Sequence, residues 1–218
     1  MVSVVMTGRR LAELDIHAGQ FLNWRFLGCG LWWHQHPFSL SAAPAGDTLR
    51  ITFKDAGAGT RALLRVRPGT RVLFEGPYGL FSDGARTSPD VVLVGIGLGL
   101  APVRAVLEST VFLPGHGTVI VRASSVDAVP LLDEIERLCL LKGARLVVLT
   151  GPRAVDANGA ARWVPRGHEA VDLASLVPGI AYCDVYVCGP QEAADLVIAE
   201  AIASGVDPAQ VHNERFAW

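Results

Sequence analysis

The chain has 218 residues, of which half are hydrophobic and 18% are charged, with a net charge of −2 at neutral pH. This length allows one large or two small folded domains, and the composition excludes a disordered chain. The slight negative charge argues against a nucleic-acid partner, which normally needs a basic surface. The sequence has no apolar run of about 18 residues that would span a membrane, and its N-terminus has no signal-peptide pattern.

Cysteine usage predicts a reducing, cytoplasmic setting. The chain has four cysteines, too few and too scattered for a disulfide framework. None of them forms a close pair of the kind that ligates a metal ion.

The first part of the chain alternates short β-rich segments with turn residues, a pattern typical of a small antiparallel β-barrel. We predict one short helix at 60–66, with Thr60 as its N-cap. The predicted strands are 2–6, 20–26, 37–42, 48–54 and 71–75.

After residue 88 the pattern becomes strand, glycine turn and helix, repeated, which predicts a doubly wound parallel α/β sheet. Residues 151–170 lack periodicity and are predicted to form a long surface loop. The chain therefore divides into a β-barrel domain at 1–88 and an α/β domain at 89–218. The predicted strands are 91–95, 118–123, 145–149 and 184–188, and the predicted helices are 101–110, 130–141 and 191–203.

The stretch "VVLVGIGLGLAPVRAVLE" (91–108) is a candidate phosphate site. Gly97 and Gly99 would let the backbone approach a phosphate, and the helix that follows supplies free N–H groups. Pro102 is tolerated in a first helical turn. The alternative is a tight turn whose glycines serve packing alone. The position on the first strand-to-helix turn of the sheet favours the phosphate site.

The stretch "DVYVCGPQEAADLV" (184–197) repeats this pattern. Cys188 ends a hydrophobic strand, and Gly189 and Pro190 turn the chain into a helix. Open α/β sheets bind ligands at the carboxyl ends of their strands, which predicts that Cys188 faces the crevice. An inert core cysteine is the alternative. The final "VHNERFAW" indicates a docked C-terminus ending in Trp218.

Six motifs occur in the order found in the ferredoxin–NADP reductase superfamily, and the chain resembles that superfamily over nearly its whole length. The His-Pro-Phe-Ser form of the first motif most resembles the dehydrogenase domain of ferric reductases and NADPH oxidases. The resemblance implies an N-terminal barrel that binds FAD and a C-terminal domain that binds a pyridine nucleotide. The motifs are "HPFSLSAAP" (36–44), "GAGT" (57–60), "EGPYG" (75–79), "GLGLAP" (97–102), "CGP" (188–190) and "ERFAW" (214–218).

By this resemblance the first motif contacts the flavin. Phe38 would lie against the isoalloxazine ring, and Ser39 would hydrogen-bond near N5, the atom that exchanges hydride. His36 stands where many relatives have an arginine facing the FAD phosphates, and a neutral imidazole is a weaker phosphate partner than a guanidinium. Pro37 makes this strand an edge or a site. A metal site at His34 and His36 is disfavoured, because no third ligand is evident.

The resemblance also assigns the glycine-rich segment to the FAD pyrophosphate. Gly59 and Thr60 would present backbone N–H groups at a helix N-terminus, with Lys54 adding positive charge. A simple helix cap is the alternative. Gly76 and Gly79 would turn the chain under the flavin toward the second domain.

In the second domain the resemblance makes Gly97, Gly99 and Pro102 the pyrophosphate loop of the nucleotide site. Cys188, followed by Gly189 and Pro190, would lie beside the nicotinamide, Glu214 beside the flavin edge, and Trp218 on the flavin face. Ser39, Cys188 and Glu214 resemble the polar set around the hydride path of the superfamily.

The coenzyme is predicted to be NADPH, with NADH possible. NAD-binding sheets often have an acid at the end of the second strand, whereas NADP sites have an arginine. Here the second strand ends in "VIVRASS", with Arg122 and no acid before Asp127, and Arg153 follows the third strand. Both arginines are alternatively plain surface charges.

These inferences predict a flavoprotein that takes hydride from NADPH to FAD and passes single electrons to an acceptor, expected to be the haem of a ferric-reductase or oxidase-type membrane partner. One alternative is a soluble reductase of an iron–sulfur protein, and another is a nucleotide-sensing or docking module without turnover. Relatives of this type carry a haem-bearing transmembrane bundle and one more barrel strand before "VSVVMTGRRL". The chain is therefore expected to be an excised or shortened form, cytoplasmic, on the cytoplasmic side of a membrane protein.

Overall fold

The computed structural model describes residues 1–28, 32–55 and 57–216. The strand pairings described in the N-terminal half are antiparallel. β1 pairs with β4, β2 lies between β3 and β5, and a bridge from Leu40 to Ile51 joins the two sheets. The pairings of the described residues do not close a barrel. The elements are β1 (Val2–Thr7), β2 (Phe21–Phe26), β3 (His36–Ser39), β4 (Thr48–Phe53), α1 (Ala58–Leu63) and β5 (Val72–Tyr78).

The core of this half follows the two-residue period of its strands. In β2 the side chains of Leu22, Trp24 and Phe26 are buried, and the residues between them are more exposed. Alternate side chains point to opposite faces of a strand, so one face of β2 covers the core. Ile51 and Phe53 from β4 complete this core from the other sheet.

The C-terminal half contains a five-stranded parallel sheet in the order β12-β11-β6-β7-β8. The two central strands, β6 and β11, are apolar and buried almost throughout, as expected when helices cover both faces. The chain leaves β6 toward β7 on one side and returns later to β11 on the other, which creates a crevice at their carboxyl ends. The elements are β6 (Val91–Ile96), α2 (Leu100–Ser109), β7 (Gly117–Ala123), α3 (Leu132–Lys142), β8 (Arg145–Thr150), β9 (Arg153–Val155), β10 (Ala161–Pro165), α4 (Leu173–Leu176), β11 (Asp184–Pro190), α5 (Gln191–Ala203) and β12 (Val211–Phe216).

Two local predictions are wrong. Residues 151–170 are not a surface loop, because β9 and β10 form a hairpin there and Trp163 is buried, with its Nε1 donating to Glu200 Oε2 at 2.9 Å. Strands this short have no period that the sequence could reveal. Thr60 is not an N-cap, since α1 begins at Ala58 with Gly57 before it, and the Thr60 hydroxyl donates to the Gly57 carbonyl.

The predicted docking of the C-terminal segment is confirmed for residues 211–216. β12 pairs in parallel with β11 at the edge of the sheet, in a register that sets Glu214 beside Cys188. Trp218 lies outside the described residues. Within those residues no helix combines the length and the apolarity that crossing a bilayer requires.

Candidate functional site

A crevice separates the strand that carries the first motif from the glycine-rich turn of the parallel sheet. From the N-terminal half, β3 and β4 form one wall, and the turn between β6 and α2 forms the other. The crevice therefore lies where the two halves meet, at the carboxyl edge of the sheet. Its lining residues are Pro37, Phe38, Ser39, Thr52, Leu98, Ala101 and Pro102.

Ser39 and Glu214 form a hydrogen bond beside this crevice. The Ser39 hydroxyl donates to Glu214 Oε1 at 2.5 Å, and the second carboxyl oxygen of Glu214 is buried without a hydrogen-bond partner among the described residues. Burial raises the pKa of Glu214 to about 7, although the bond from Ser39 acts in the opposite direction. Glu214 can therefore hold or release a proton near neutral pH.

Cys188 lies next to this pair. It is fully buried in β11, between Glu214 on β12 and Gly95 on β6. Burial, followed by the nearby charge of Glu214, raises the pKa of the thiol well above its ordinary value, so Cys188 is a neutral thiol at pH 7. The structure thus brings Ser39, Glu214 and Cys188 together, but Cys188 belongs to the buried core and does not line the crevice as the sequence predicted. The role of the three residues in hydride transfer stays a prediction.

The two glycine turns pack against each other at the carboxyl edge of the sheet. A Cβ atom on Gly99 would lie 2.1 Å from the carbonyl oxygen of Cys188 and 2.7 Å from the Gly189 nitrogen. Gly97 has a φ of +57° and faces open space. The two interpretations of the turn therefore apply to different residues: Gly99 is required for packing, whereas Gly97 leaves the backbone open to a ligand.

The first motif forms a stack of rings on the N-terminal side. The His36 ring is nearly parallel to that of Phe38, with centroids 6.1 Å apart, and Phe38 stacks on Phe53 at 5.3 Å. His36 Nε2 is buried and has no hydrogen-bond partner among the described residues. Burial, with a smaller contribution from His34, lowers the pKa of His36, which favours the neutral imidazole.

The glycine-rich segment lies against His36. A Cβ atom on Gly59 would stand 3.5 Å from His36 Cε1, so α1 borders the same space that the imidazole faces. Lys54 is exposed at the end of β4. The phosphate contacts assigned to Gly59, Thr60 and Lys54, and the turns assigned to Gly76 and Gly79, stay predictions.

The structure disfavours the predicted phosphate contact of Arg122. This side chain is 4% exposed, and its guanidinium donates to the backbone carbonyls of Trp163 at 2.7 Å, Gly151 at 2.8 Å and Ala123. Its hydrogen bonds therefore hold the hairpin after β8 against the sheet. Arg153 is more accessible and has a long ion pair of 3.6 Å with Glu192. Of the two arginines, Arg153 has the more accessible side chain, and its contact with a phosphate stays a prediction.

Sequence reasoning missed a group of charged residues between the halves. Arg50 of β4 and Arg104 of α2 both contact the carboxylate of Glu134 on α3. Two signals of this group were available in the sequence. One is an arginine inside the apolar strand "TLRITF", and the other is the spacing of four residues between Arg104 and Glu108 on α2.

No family model matches the chain. Among curated proteins, a flavohemoprotein of Xylella fastidiosa strain Temecula1 is 28% identical over 209 residues, covering 91% of this chain and 50% of the relative. The chain therefore spans about half the length of that relative. A ferredoxin–NADP reductase B of Sorangium cellulosum strain So ce56 is 26% identical over 187 residues, covering 82% of this chain and 77% of the relative.

A solved structure has the same fold over nearly the whole chain. It is the flavohem-like FAD/NAD-binding domain of nitric oxide dioxygenase from Vibrio cholerae O1 biovar El Tor, with a TM-score of 0.74 and 24% identity. The alignment covers 98% of this chain and 91% of that one. The neighbours of the chain in sequence and in structure are thus ferredoxin–NADP reductase-like FAD/NAD-binding domains, which confirms the predicted resemblance and fold class.

Proposed function

We propose that the chain is the reductase part of a flavoprotein, which takes hydride from NADPH to FAD and delivers single electrons to an acceptor. The observation that carries this proposal is the Ser39–Glu214 hydrogen bond at the crevice between the halves. It joins one residue of the predicted flavin motif to one residue at the carboxyl edge of the nucleotide sheet. The names of the relatives support the class, since they include FAD/NAD-binding and NADP-linked reductases.

The side chains around β3 fit FAD. The buried, unpartnered Nε2 of His36 needs a hydrogen-bond partner, because an unmatched buried polar atom costs free energy. An FAD phosphate oxygen that occupies the space beside α1 and Gly59 would be that partner, and Phe38 would border the flavin ring. FAD, when bound, accepts two electrons together as hydride and releases them singly.

The carboxyl edge of the parallel sheet fits the pyrophosphate of a pyridine nucleotide. Gly97 leaves its backbone open there, and the N-terminus of α2, for which the described residues show no side-chain cap, lies at the same edge. Arg153 would select the 2′-phosphate of NADPH, because a guanidinium binds phosphate with charge-assisted hydrogen bonds. This assignment replaces the one that the sequence suggested for Arg122.

The three polar residues beside the crevice would have distinct roles. Ser39 would orient the reacting edge of the flavin through its hydroxyl. Glu214 would hold a proton near neutral pH and exchange it through Ser39, which suits a pKa of about 7. Cys188 would stay a neutral thiol behind Glu214, so that no nucleophilic thiolate lies next to the nicotinamide site.

For the acceptor we propose a haem, in a ferric-reductase or oxidase-type membrane partner with this chain on the cytoplasmic side. The match to a flavohemoprotein supports haem, because that relative is about twice as long as the matched region and its name refers to both a flavin and a haem. An iron–sulfur protein is the second candidate, supported by the match to 77% of a ferredoxin–NADP reductase. A module without turnover is the third.

Anaerobic reduction of the reconstituted chain tests the proposal. The chain loaded with FAD should bleach when NADPH is added, and Ser39→Ala should keep FAD but be reduced more slowly, because the hydroxyl acts in the chemical step. Transfer from the reduced chain to a b-type haem protein or to a [2Fe–2S] ferredoxin then separates the acceptors. Failure to bind FAD under any reconstitution condition would support the module without turnover.

A further inference from the structure

A cluster of four charged side chains and one serine lies between the two halves of the chain. We call it the interface cluster. Arg50 comes from β4, and the other charged members come from α2 and α3, so the cluster joins the N-terminal strands to the helices of the parallel sheet. Its two positive and two negative charges balance, and all four charged side chains are partly shielded from solvent. Its members are Ser41, Arg50, Arg104, Glu108 and Glu134.

Glu134 is the centre of the charged contacts. Arg50 donates to its two carboxyl oxygens at 3.1 and 2.9 Å, and Arg104 Nε lies 2.9 Å from Oε2. Burial opposes ionisation of Glu134, but the hydrogen bonds from Arg50 and the charges of both arginines outweigh it and lower its pKa. One carboxylate is therefore bound by guanidinium groups from both halves.

The same arginines hold the backbone that follows β3. The carbonyl oxygen of Ser41 accepts from Arg50 Nη2 at 2.6 Å and from Arg104 Nη1 at 3.3 Å, and the Ser41 hydroxyl accepts from Arg50 Nε at 3.1 Å. Ser41 is fully buried. Two residues further along, the Ala43 amide donates to Glu108 Oε2 at 2.6 Å.

These contacts fix one wall of the crevice relative to the other. Ser39 precedes Ser41 by two residues in the segment that the arginines hold. Arg104 belongs to α2, whose first turn contains Ala101 and Pro102 of the opposite wall. A shift of the interface cluster would therefore change the width of the crevice.

We propose that Arg50 and Glu134 are positioning residues, which hold the Ser39 segment against α2 and so set the distance over which hydride is transferred. The inference rests on the proposed function and extends it to residues that contact neither predicted cofactor site. Reacting atoms must approach to about 3–3.5 Å, and a displacement of about 1 Å can slow a reaction about a hundredfold. The cluster has no net charge and is partly buried, so removal of one charged side chain leaves its partners without a counter-charge. Each member therefore helps to hold the others in place.

The chain contains a matched control pair. Arg162 and Glu200 form a partly buried ion pair whose side chains are 24% and 20% exposed, compared with 18% and 26% for Arg50 and Glu134. Both control residues lie in the C-terminal half. Glu200→Gln should therefore disturb stability to a similar degree without altering the crevice.

The test compares Glu134→Gln, Arg50→Gln and Glu200→Gln in the FAD-loaded chain. We expect the rate of flavin reduction at saturating NADPH to fall at least tenfold in the first two variants, with an unchanged KM and FAD content. The long-wavelength flavin–NADP⁺ band should weaken in the same two variants. The double variant Arg50→Gln/Glu134→Gln should be slowed by less than the product of the two single losses, because both single variants remove the Arg50–Glu134 contact.

A second measurement needs no cofactor. In the ligand-free chain, hydrogen exchange of the amides at 39–43 should accelerate at least tenfold in Glu134→Gln and stay at the parental rate in Glu200→Gln. Parental reduction and exchange rates in Glu134→Gln, or equal losses in Glu134→Gln and Glu200→Gln, would overturn the inference. If Glu134→Gln does not fold, Arg50→Lys, which keeps the charge but loses the paired hydrogen bonds, is measured instead. Failure of the parent itself to bleach with NADPH would contradict the proposed function.

Discussion

Ser39 donates a 2.5 Å hydrogen bond to Glu214, although the two residues are 175 positions apart in the chain. β3 brings Ser39 from the N-terminal half, and β12 brings Glu214 from the edge of the parallel sheet. The register of β12 against β11 also sets Glu214 beside Cys188. The bond therefore links the two halves where the proposed cofactors would meet.

Glu214→Gln should make stability less dependent on pH. The pKa of Glu214 rises from an ordinary 4.5 to about 7 in the folded chain. Its contribution to stability is therefore complete below about pH 4.5 and is lost as the pH rises through 7. Between these limits the free energy of unfolding of the parent should fall by about 1–3 kcal/mol relative to Glu214→Gln.

Urea unfolding of both proteins from pH 4.5 to 8 measures this difference. The lowered pKa of His36 acts in the opposite direction, but it is common to both proteins and cancels in the comparison. Parallel pH profiles for the parent and Glu214→Gln would show that the carboxyl group is not shifted.

Arg153→Asp should change coenzyme preference from NADPH toward NADH. The aspartate would repel a 2′-phosphate and accept hydrogen bonds from free ribose hydroxyls. We expect the ratio of kcat/KM for NADPH to that for NADH to fall about tenfold or more, which is the loss of one charge-assisted contact.

Arg122→Ala provides the contrast. It removes hydrogen bonds to three backbone carbonyls and should lower the free energy of unfolding by about 2–3 kcal/mol without changing the coenzyme ratio. A changed ratio in Arg122→Ala, with none in Arg153→Asp, would return the phosphate contact to Arg122.

His36→Phe should weaken FAD binding without destabilising the ligand-free chain. Phenylalanine keeps a ring against Phe38 and removes the unpartnered Nε2 atom. Loss of one hydrogen bond of about 1–1.5 kcal/mol corresponds to roughly a tenfold weaker Kd. Fluorescence titration with FAD gives the Kd, and the exposed His34→Ala is the control. An unchanged Kd would show that His36 does not contact the cofactor.

Alanine at the two turn glycines should have different effects. In Gly99→Ala the new Cβ would collide with the Cys188 carbonyl, so we expect a loss of about 2–3 kcal/mol in stability. In Gly97→Ala the Cβ enters open space, and only the left-handed backbone costs about 1–2 kcal/mol. Thermal unfolding compares the two variants, and NADP⁺ titration of Gly97→Ala tests the open backbone. Equal stabilities would contradict the packing of Gly99 against β11.

The local elements of the parallel sheet could be predicted from the sequence alone. The apolar run of β6, its glycine turn and the helix α2 follow each other within residues 91–109, and neighbouring residues determine such patterns. The six motifs likewise indicated the fold class, and two of them, "HPFSLSAAP" and "GLGLAP", contain residues that line the crevice. Each of these signals resides in a short, continuous stretch of chain.

Only the tertiary structure decided how distant residues are used. Arg122 stands at the strand end where a phosphate ligand is expected. In the structure, however, its guanidinium donates to the backbone carbonyls of Trp163 and Gly151. Glu134 resembles any charged residue of an amphipathic helix until sheet order brings α3 to Arg50, 84 positions earlier in the chain. Such contacts depend on the order and register of the strands, which no local sequence period encodes. A strand could pair with several partners, and burial of its apolar face in the core determines which pairing forms.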